Sequence, residues 1–520
     1  IDIVSIGTCF LPVSTMKAVV AAVLAAVVLH CAAGQTLYEY VHAPDASYSW
    51  FDTGFRYNET GWQGFMLNLT SQTWMTSAES SRPVWTHQLL VIVPDKINFK
   101  DTAAIYVTGG HNSQPPPAAP GPTDEDVLGS ALLAMSTGTI TATLWQIPAQ
   151  PIVFAADPEH KERTEDAAVA FSWVQYMKTG DPTWILYWPM TKAVSKAMDA
   201  VTEYVSKEQG LDLEKFMVWG ASKRGWITWL TGATDERVIA IAPVVMDLLN
   251  TSAGLEHMWK AYGGWTFAFE DYYAMNITRD MGSPELAMLF EQIDPLNYKA
   301  NLTMPKLVID ATGDEFFMLD DDHYWWGELP GETLRLMIQN AEHTMATGVF
   351  ELIGGLEAWY AAILTNSPRP SFTWEIENGS GNINMDVNTG VLTPHQVVLR
   401  FATTTGPERR DFRLIKGNTP SDPCKFIPVP VFGSACLNPI IWVGEDVAPT
   451  STSTDANGDV VQHYVLSQPL PPSGWRAFMA ELYFTGPMDT TFQLTTQVSI
   501  IPQTFPFPPC NGTACYGTLV

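Results

Sequence analysis

A serine stands at a predicted strand-to-helix turn in the segment Lys215-Phe-Met-Val-Trp-Gly-Ala-Ser-Lys-Arg-Gly-Trp. Apolar residues before Gly220 predict a strand, and a helix is predicted directly after Ser222. Such a turn holds a hydroxyl above the sheet edge, and the helix N-terminus directs N–H groups at developing negative charge. The segment Gly220-Ala221-Ser222 is equally compatible with a serine that only caps the helix. The usual nucleophile elbow has glycine two residues after the serine, whereas here Arg224 takes that position and Gly225 follows.

An acid and a histidine follow later predicted strands, which favours catalysis over capping. Asp314 lies in the loop after one strand, with Glu315 as a neighbouring alternative, while Asp310 lies within that strand. His343 follows the last predicted strand of the series. The chain order Ser222, Asp314, His343 is that of α/β-hydrolase triads. We predict that His343 takes the proton from Ser222 and that Asp314 orients the imidazole.

Backbone N–H groups near the serine are candidates for an oxyanion hole. One is the amide of Lys223, the first residue of the predicted helix. The second is expected from the loop after an earlier strand, where Gly109, Gly110 and His111 let the backbone approach a substrate. An ordinary turn explains the two glycines equally well.

Strand-like and helix-like stretches alternate from about residue 88 to 364. The strands are short apolar runs, as buried parallel strands should be. They are predicted at 88–93, 103–108, 139–146, 215–219, 238–244, 306–310 and 335–338, with helices at 162–178, 191–209, 223–231 and 349–364. The pattern predicts an α/β-hydrolase-like, mostly parallel sheet with helices on both faces.

After residue 367 the pattern changes to alternating strands separated by Gly, Pro, Asn and Asp. This predicts a C-terminal antiparallel β-sandwich, with strands at 372–376, 396–401, 475–484 and 491–501. We divide the chain into upstream residues and a signal peptide (1–34), an N-terminal extension with short strands (35–87), a hydrolase-like domain (88–367) and the sandwich domain (368–520).

An aromatic-rich insert at 255–281 stands where hydrolases of this class insert a lid. Its rings could line an apolar substrate pocket or simply pack the insert onto the core. Within it, Glu270 and Asp271 could bind a substrate amine. The acidic run from Asp320 to His323 resembles a metal loop, although we favour a solvated acidic turn. No metal or other cofactor is expected.

Composition narrows the function classes. The chain has 520 residues, 46% hydrophobic, with 28 basic and 55 acidic side chains and a net charge of −27. That much apolar surface is atypical of a disordered chain. The acidic balance argues against nucleic acid or an anionic membrane as a partner.

The residues after Met16 have the layout of a secretory signal. Lys17 precedes the apolar run 18–29, and small residues suggest cleavage near Gly34 and Gln35. A transmembrane anchor is the alternative, but the run is shorter than the ~20 residues that a span needs. We therefore predict a secreted, extracellular protein without stable membrane insertion.

Cysteines and glycosylation motifs agree with export. Cys9 and Cys31 would be lost on cleavage, and sequence neighbours suggest the pairs Cys424–Cys436 and Cys510–Cys515, although three pairings are possible and zinc binding is a weaker alternative. Acceptor motifs for N-glycans occur at Asn58, Asn68, Asn250, Asn276, Asn301, Asn378 and Asn511.

The stretch Gly-Ala-Ser-Lys-Arg-Gly-Trp, with Ala-Thr-Gly-Asp-Glu-Phe-Phe and Asp-Asp-Asp-His-Tyr-Trp-Trp further on, resembles the PhoPQ-activated pathogenicity-related family. The resemblance covers about residues 36–500 and implies an α/β-hydrolase-like fold, with Ser222, Asp314 and His343 at the triad positions and Arg224 shared with the family pattern. Some members act as extracellular signals. Two functions follow: a secreted serine hydrolase acting on a small ester or peptide, or a non-catalytic, proliferation-repressor-like factor that binds a cell-surface receptor.

Overall fold

The computed structural model describes residues 35–113, 116–420, 423 and 435–520. The signal segment predicted at 18–29 lies outside the described residues, as do Cys9, Cys31 and Cys424. No helix in the described ranges has the length and apolar character needed to cross a bilayer.

One mixed nine-stranded sheet forms the centre of the molecule. In order across the sheet, the strands are β1-β2-β3-β5-β4-β6-β7-β8-β9, and those from β5 to β9 run parallel. Their bounds are β1 (Ser49–Glu59), β2 (Trp62–Thr73), β3 (Val84–Pro94), β4 (Thr102–Val107), β5 (Ile140–Leu144), β6 (Lys215–Ala221), β7 (Val238–Val244), β8 (Lys306–Ala311) and β9 (Thr333–Ile338).

Helices cover both faces of this sheet. The alternation along β6 shows it, because Phe216 and Val218 belong to one buried cluster while Met217 and Trp219 belong to another on the opposite face. The helices are α1 (Leu37–His42), α2 (Glu125–Thr137), α3 (Glu165–Thr179), α4 (Tyr187–Gln209), α5 (Lys223–Thr234), α6 (Thr251–Tyr262), α7 (Glu270–Ala274), α8 (Pro284–Ile293) and α9 (Val349–Leu364).

The C-terminal part forms antiparallel sheets, as predicted. A four-stranded sheet (β10-β11-β17-β16) accompanies a five-stranded sheet (β15-β12-β18-β19, with β20 on β18), and β13 pairs with β14. The bounds are β10 (Phe372–Ile376), β11 (Ile383–Asn388), β12 (Gln396–Thr403), β13 (Ile415–Lys416), β14 (Cys436–Leu437), β15 (Val443–Asp446), β16 (Ser451–Thr454), β17 (Val460–Leu466), β18 (Arg476–Thr485), β19 (Thr491–Thr495) and β20 (Ser499–Ile501).

The sandwich and the parallel sheet share one apolar core. A single buried cluster contains Leu336 of β9, Trp359 of α9 and Phe478 of β18. A hydrogen bond from the Met337 amide to Thr495 Oγ1, 3.0 Å long, joins β9 to β19. The sandwich therefore packs against the last strand of the central sheet.

The N-terminal strands β1 and β2 and the helix α2 differ from the sequence predictions. Residues 35–87 were expected to form short strands in an extension, but β1 and β2 are 11 and 12 residues long and continue the central sheet through β3. Helix α2 was not predicted, and it begins at the cap Asp124 and ends at Gly138 in the left-handed conformation.

Candidate active site

Ser222 lies alone at the turn between β6 and α5. Its backbone has φ 58° and ψ −128°, a conformation that costs free energy for any residue with a Cβ atom. The strand and the helix fix both ends of the turn, so the serine hydroxyl projects from the carboxyl edge of the parallel strands. This is the geometry of a nucleophile elbow.

Two glycines let this turn pack against the neighbouring strands. A Cβ on Gly220 would lie 2.9 Å from the carbonyl oxygen of Val107, and a Cβ on Gly225 would lie 2.9 Å from that of Val244. Both distances are too short for a real Cβ contact. The glycine three residues after Ser222 thus provides a close approach to β7, and the elbow forms without glycine at the usual position.

The structure brings the three predicted catalytic side chains together. His343 Nε2 lies 2.8 Å from Ser222 Oγ, and His343 Nδ1 lies 2.8 Å from Asp314 Oδ2 and 3.0 Å from Oδ1. Asp314 also accepts the backbone N–H groups of Phe316 and Phe317, at 2.7 and 3.1 Å. The carboxylate at Nδ1 favours the tautomer that donates to Asp314 and leaves Nε2 free to accept the serine proton.

Two carboxylates set the charge of the histidine. Burial alone would lower the pKa of His343, but Asp314 and Glu315 outweigh it and raise that pKa above the usual 6.5. Glu315, the alternative acid of the sequence analysis, accepts the His343 backbone N–H at 3.1 Å instead of the ring. Burial, together with the Asp314 charge, raises the pKa of Glu315 to about 7.

Arg224 stands two residues after Ser222, where the usual elbow has glycine, and its side chain forms an ion pair there. Its guanidinium donates to both oxygens of Glu165 at 2.7 Å, and its Nε donates to the Ile147 carbonyl at 2.5 Å. The Lys223 ammonium lies 3.0 Å from Glu165 and 3.3 Å from Asp166. Burial alone would raise the pKa of Glu165, but the two cations hold it well below its usual range. The elbow is therefore fastened to the start of α3.

Sequence reasoning missed Glu165 and Asp166. Their only local signal is an acidic pair in the first turn of a helix, which is also what an ordinary helix start contains. The cations that they meet lie more than 55 residues further along the chain, at Lys223 and Arg224. The pairing thus depends on tertiary structure.

The residues predicted to supply the oxyanion hole, Lys223, Gly110 and His111, differ in their position relative to the serine. Lys223 is the first residue of α5, so its amide is one of the unpaired N–H groups at the helix start. Gly110 has φ 113°, and a Cβ on Gly109 would lie 2.8 Å from the Arg224 guanidinium. His111 is exposed to solvent. Lys223 lines the cavity beside the serine, whereas Gly110 and His111 are not among the described lining residues.

A cavity opens directly beside Ser222. The empty space in and at the mouth of this cavity is about 670 Å³, a volume that includes open solvent. Aromatic and aliphatic side chains from helices α3 to α8 and from the loops between elements form most of its wall, so the group that binds there loses its contact with water. Its lining includes Trp173, Tyr187, Trp226, Met246, Leu248, Phe290, Phe316 and Phe317.

The aromatic insert at 255–281 both lines this cavity and packs onto the core. Trp265, Phe269 and Tyr272 face the cavity. Trp259 instead packs against Trp265, with ring centroids 5.4 Å apart. Glu270 and Asp271, proposed to bind a substrate amine, are not among the described lining residues.

The acidic run after residue 319 is not a solvated turn, contrary to expectation. Asp320, Asp321 and Asp322 are 3%, 1% and 0% exposed. Arg410 pairs with Asp320, and Arg335 pairs with Asp322. Cations from distant strands and loops neutralise the run, which burial requires. No group of metal-ligating side chains occurs in the part of the chain that the structure describes.

One predicted disulfide is present, between Cys510 and Cys515. Cys436 is also disulfide-bonded, and its pairing with Cys424 remains a prediction because Cys424 is outside the described ranges. Four of the seven glycan acceptors lie exposed without a hydrogen bond that engages the side-chain amide in the described structure: Asn58, Asn276, Asn378 and Asn511.

The amide nitrogens of two other acceptors are engaged. Asn250 Nδ2 donates to the Tyr324 carbonyl at 3.1 Å, and Asn301 Nδ2 donates to the Ala233 carbonyl at 2.9 Å. Asn68 lies half-buried in β2. Glycosylation of these three positions would require local rearrangement.

The parallel sheet, the strand-turn-helix elbow and the Ser-Asp-His chain order define an α/β-hydrolase-like fold. Residues 37–413 match the family described as PhoPQ-activated pathogenicity-related protein. The chain belongs to that family. It is also 38% identical over 486 residues to autocrine proliferation repressor protein A of Dictyostelium discoideum, an alignment that covers 91% of this chain and 92% of that protein.

Solved structures with partial similarity include two esterases. Acetyl xylan esterase 1 from a Thermoanaerobacterium species has a TM-score of 0.43 and 12% identity, over 63% of this chain and 91% of its own. A cold-adapted esterase from an Arctic intertidal metagenomic library has a TM-score of 0.34 and 13% identity, over 60% of this chain and 98% of its own.

Proposed function

We propose that this protein is a serine hydrolase that cleaves an ester or peptide bond through an acyl-enzyme. The observation that carries the proposal is the pair of hydrogen bonds from His343, 2.8 Å to Ser222 Oγ and 2.8 Å to Asp314 Oδ2. A serine is a weak nucleophile unless a base accepts its proton, and this geometry provides the base and the group that orients it.

The reaction proceeds in two halves. Ser222 Oγ attacks the carbonyl carbon while its proton moves to His343 Nε2, and the Lys223 amide stabilises the negative oxygen that forms. His343 then returns the proton to the leaving group as the carbonyl–leaving-group bond breaks. In the second half, water gives a proton to His343 as it attacks the acyl carbon, and His343 returns that proton to Ser222 Oγ as the acyl–Oγ bond breaks, which releases the acid and free Ser222.

Labelling with a fluorophosphonate probe tests the proposal. The probe forms a covalent bond with a serine whose neighbours activate it, so the purified protein should be labelled and Ser222→Ala should not. Ser206→Ala is the matched control, because Ser206 is an exposed serine on α4. Failure of the folded wild-type protein to react would contradict the proposal.

A second candidate function is a non-catalytic signalling factor that binds a cell-surface receptor. The observation that favours it is the 38% identity to a protein named as an autocrine proliferation repressor. The repressor activity of the Ser222→Ala variant distinguishes the two proposals. A repressor activity that survives Ser222→Ala in a folded protein would support receptor binding, whereas its loss would assign the biological effect to hydrolysis.

We also propose that the protein is secreted and glycosylated. The Cys510–Cys515 disulfide and the exposed acceptors Asn58, Asn276, Asn378 and Asn511 support this. Expression in eukaryotic cells should release into the medium a chain that begins near Gln35 and loses mass on treatment with a glycosidase. Retention in the cell of unglycosylated chain would contradict it.

A further inference from the structure

The cavity beside Ser222 offers a substrate almost no unpaired polar group. The Tyr272 hydroxyl donates to Asp166 at 2.9 Å, and the Lys223 ammonium lies 3.3 Å from the same carboxylate. The Tyr187 hydroxyl is hydrogen-bonded to Tyr272. These groups satisfy one another, so the only charges in the lining are already neutralised within the wall.

The two threonine hydroxyls in the lining are also engaged. Thr251 Oγ1 donates to the Leu248 carbonyl at 3.2 Å, and Thr278 Oγ1 donates to the Tyr516 carbonyl at 3.4 Å. A sugar hydroxyl or a charged side chain placed here would lose its hydrogen bonds to water without gaining replacements, which is costly. An apolar group loses nothing and gains from burial.

The cavity is also positioned to hold the acyl side of a substrate. It reaches both Ser222 and Lys223, the groups that contact the carbonyl carbon and its oxygen during attack. His343, which protonates the leaving group, is not among the described residues that line the cavity, whereas Phe316, whose ring centroid lies 4.4 Å from the imidazole, is one of them. A carbonyl between Ser222 and the Lys223 amide therefore extends its acyl substituent into the cavity.

We propose that the substrate is an ester of an apolar carboxylic acid longer than acetate, a medium-chain or arylalkyl acid, with the acyl group held among Trp173, Trp226, Phe269 and Phe290. This inference rests on the proposed hydrolase function and names its substrate class. It sets acetylated sugars and peptides with charged side chains outside the preferred substrates, because the charged, tyrosine and threonine groups of the lining already have partners within the protein.

Hydrolysis of 4-nitrophenyl esters that share one leaving group and differ only in acyl length tests the inference. Each methylene buried in the cavity should raise kcat/KM roughly fourfold, the ratio expected for its transfer from water, until the cavity is filled. A flat series, or one that is highest for acetate, in a protein that reacts with the fluorophosphonate would overturn the inference while the hydrolase function stands.

A lining variant locates the effect. Met281 lines the cavity and is only half-buried, so Met281→Trp should fill space without disturbing the fold. It is expected to lower kcat/KM for long acyl groups by roughly tenfold and to lower that for acetate by a smaller factor. Met288→Trp is the matched control, since Met288 lies 46% exposed on α8. Equal chain-length profiles in both variants would overturn the inference.

A binding measurement separates the ligand class from the reaction. Three tryptophans line the cavity, Trp173, Trp226 and Trp265, so decanoate added to the Ser222→Ala variant should change its fluorescence whereas acetate should not. If no ester is hydrolysed but decanoate binds and Met281→Trp weakens it, the apolar ligand class stands and the hydrolase function fails. No binding and no chain-length preference would overturn the inference.

Discussion

Arg224 is the residue at which this elbow departs from the common pattern, and its side chain stabilises the local structure. Its fork holds Glu165, whose side chain is 35% exposed, and the Ile147 carbonyl. Arg224→Gly would restore the usual motif but remove the two-pronged partner of the partly buried Glu165 carboxylate, which would keep the Lys223 ammonium at 3.0 Å. We expect a loss of about 2 kcal/mol in unfolding free energy and slower fluorophosphonate labelling.

Urea unfolding followed by fluorescence measures that loss. Arg224→Lys is the informative comparison, since it keeps the charge and loses the two-pronged hydrogen bond. It should fall between the wild type and Arg224→Gly in both stability and labelling rate. A glycine variant as stable as the wild type would show that the fork contributes nothing.

Glu315 is expected to set the pH range of the reaction. In the proposed reaction the base is neutral His343, and the pKa of His343 is raised above its usual 6.5, so labelling should accelerate as pH rises through neutrality and beyond. Glu315→Gln keeps an oxygen for the His343 amide and removes the charge. Because the pKa of Glu315 is about 7, that charge favours imidazolium mainly above neutral pH.

The labelling midpoint of Glu315→Gln should therefore shift to lower pH, with little change in the alkaline plateau. Observed rate constants across the neutral and alkaline range give this midpoint. Glu328→Gln, an exposed carboxylate paired with Lys299, is the control and should leave the profile unchanged. An unchanged or higher midpoint for Glu315→Gln would show that the Glu315 charge does not raise the pKa of His343.

At the scale of elements, the segment 510–520 holds in place the part of the insert that lines the cavity. Trp265 donates its indole N–H to the Cys515 carbonyl at 2.8 Å and exchanges backbone hydrogen bonds with Thr518 and Val520. The Tyr516 ring stacks on Tyr273 at 4.7 Å. The insert is thus secured by a segment that follows the sandwich, and the Cys510–Cys515 disulfide closes the loop that supplies these contacts.

Removing this disulfide should loosen the insert more than the fold. Closing so short a loop stabilises by about 2 kcal/mol in the chain-entropy account, so Cys510→Ser with Cys515→Ser should lose up to that amount in urea unfolding. Hydrolysis of long-chain esters should fall more than that of acetate, because Trp265 lines the cavity. Ala514→Ser changes an exposed residue of the same loop without breaking the bond and should match the wild type.

The elements that the sequence predicted well are those with a local signal. β7 and α9 have the predicted bounds, since an apolar run or a helical period ends at clear breakers. Ser222, Asp314 and His343 could be placed because each follows such a strand. β1 and β2 were underestimated because their mixed burial lacks a continuous apolar run.

What could not be predicted depends on partners that are distant in sequence. Asp320 resembles a solvated residue in its own segment, and its burial requires Arg410, which comes from the chain after the predicted domain boundary near residue 368. The same holds for Glu165 and Arg224. Local patterns fix the positions of elements, whereas the neutralisation of a buried charge is decided by the packing of the whole molecule.

The Arg410–Asp320 pair joins the two halves of the molecule, and its energetics are testable at that scale. The two residues are 5% and 3% exposed. Burial alone would raise the pKa of Asp320, but Arg410 and His257 outweigh it and hold that pKa well below its usual range. Asp320 therefore stabilises the fold at pH above its usual value of 3.8, and this contribution is lost as pH falls.

Arg410→Met removes the cation and leaves a buried carboxylate, so we expect a loss of about 3–5 kcal/mol in urea unfolding at neutral pH. The penalty should shrink on acidification, because Asp320 can then be protonated. Asp320→Asn combined with Arg410→Met removes both charges and should recover much of the stability, which a double-mutant cycle measures directly. Additive losses in that cycle would mean that the pair does not couple the two halves, and that the shared apolar core alone holds them together.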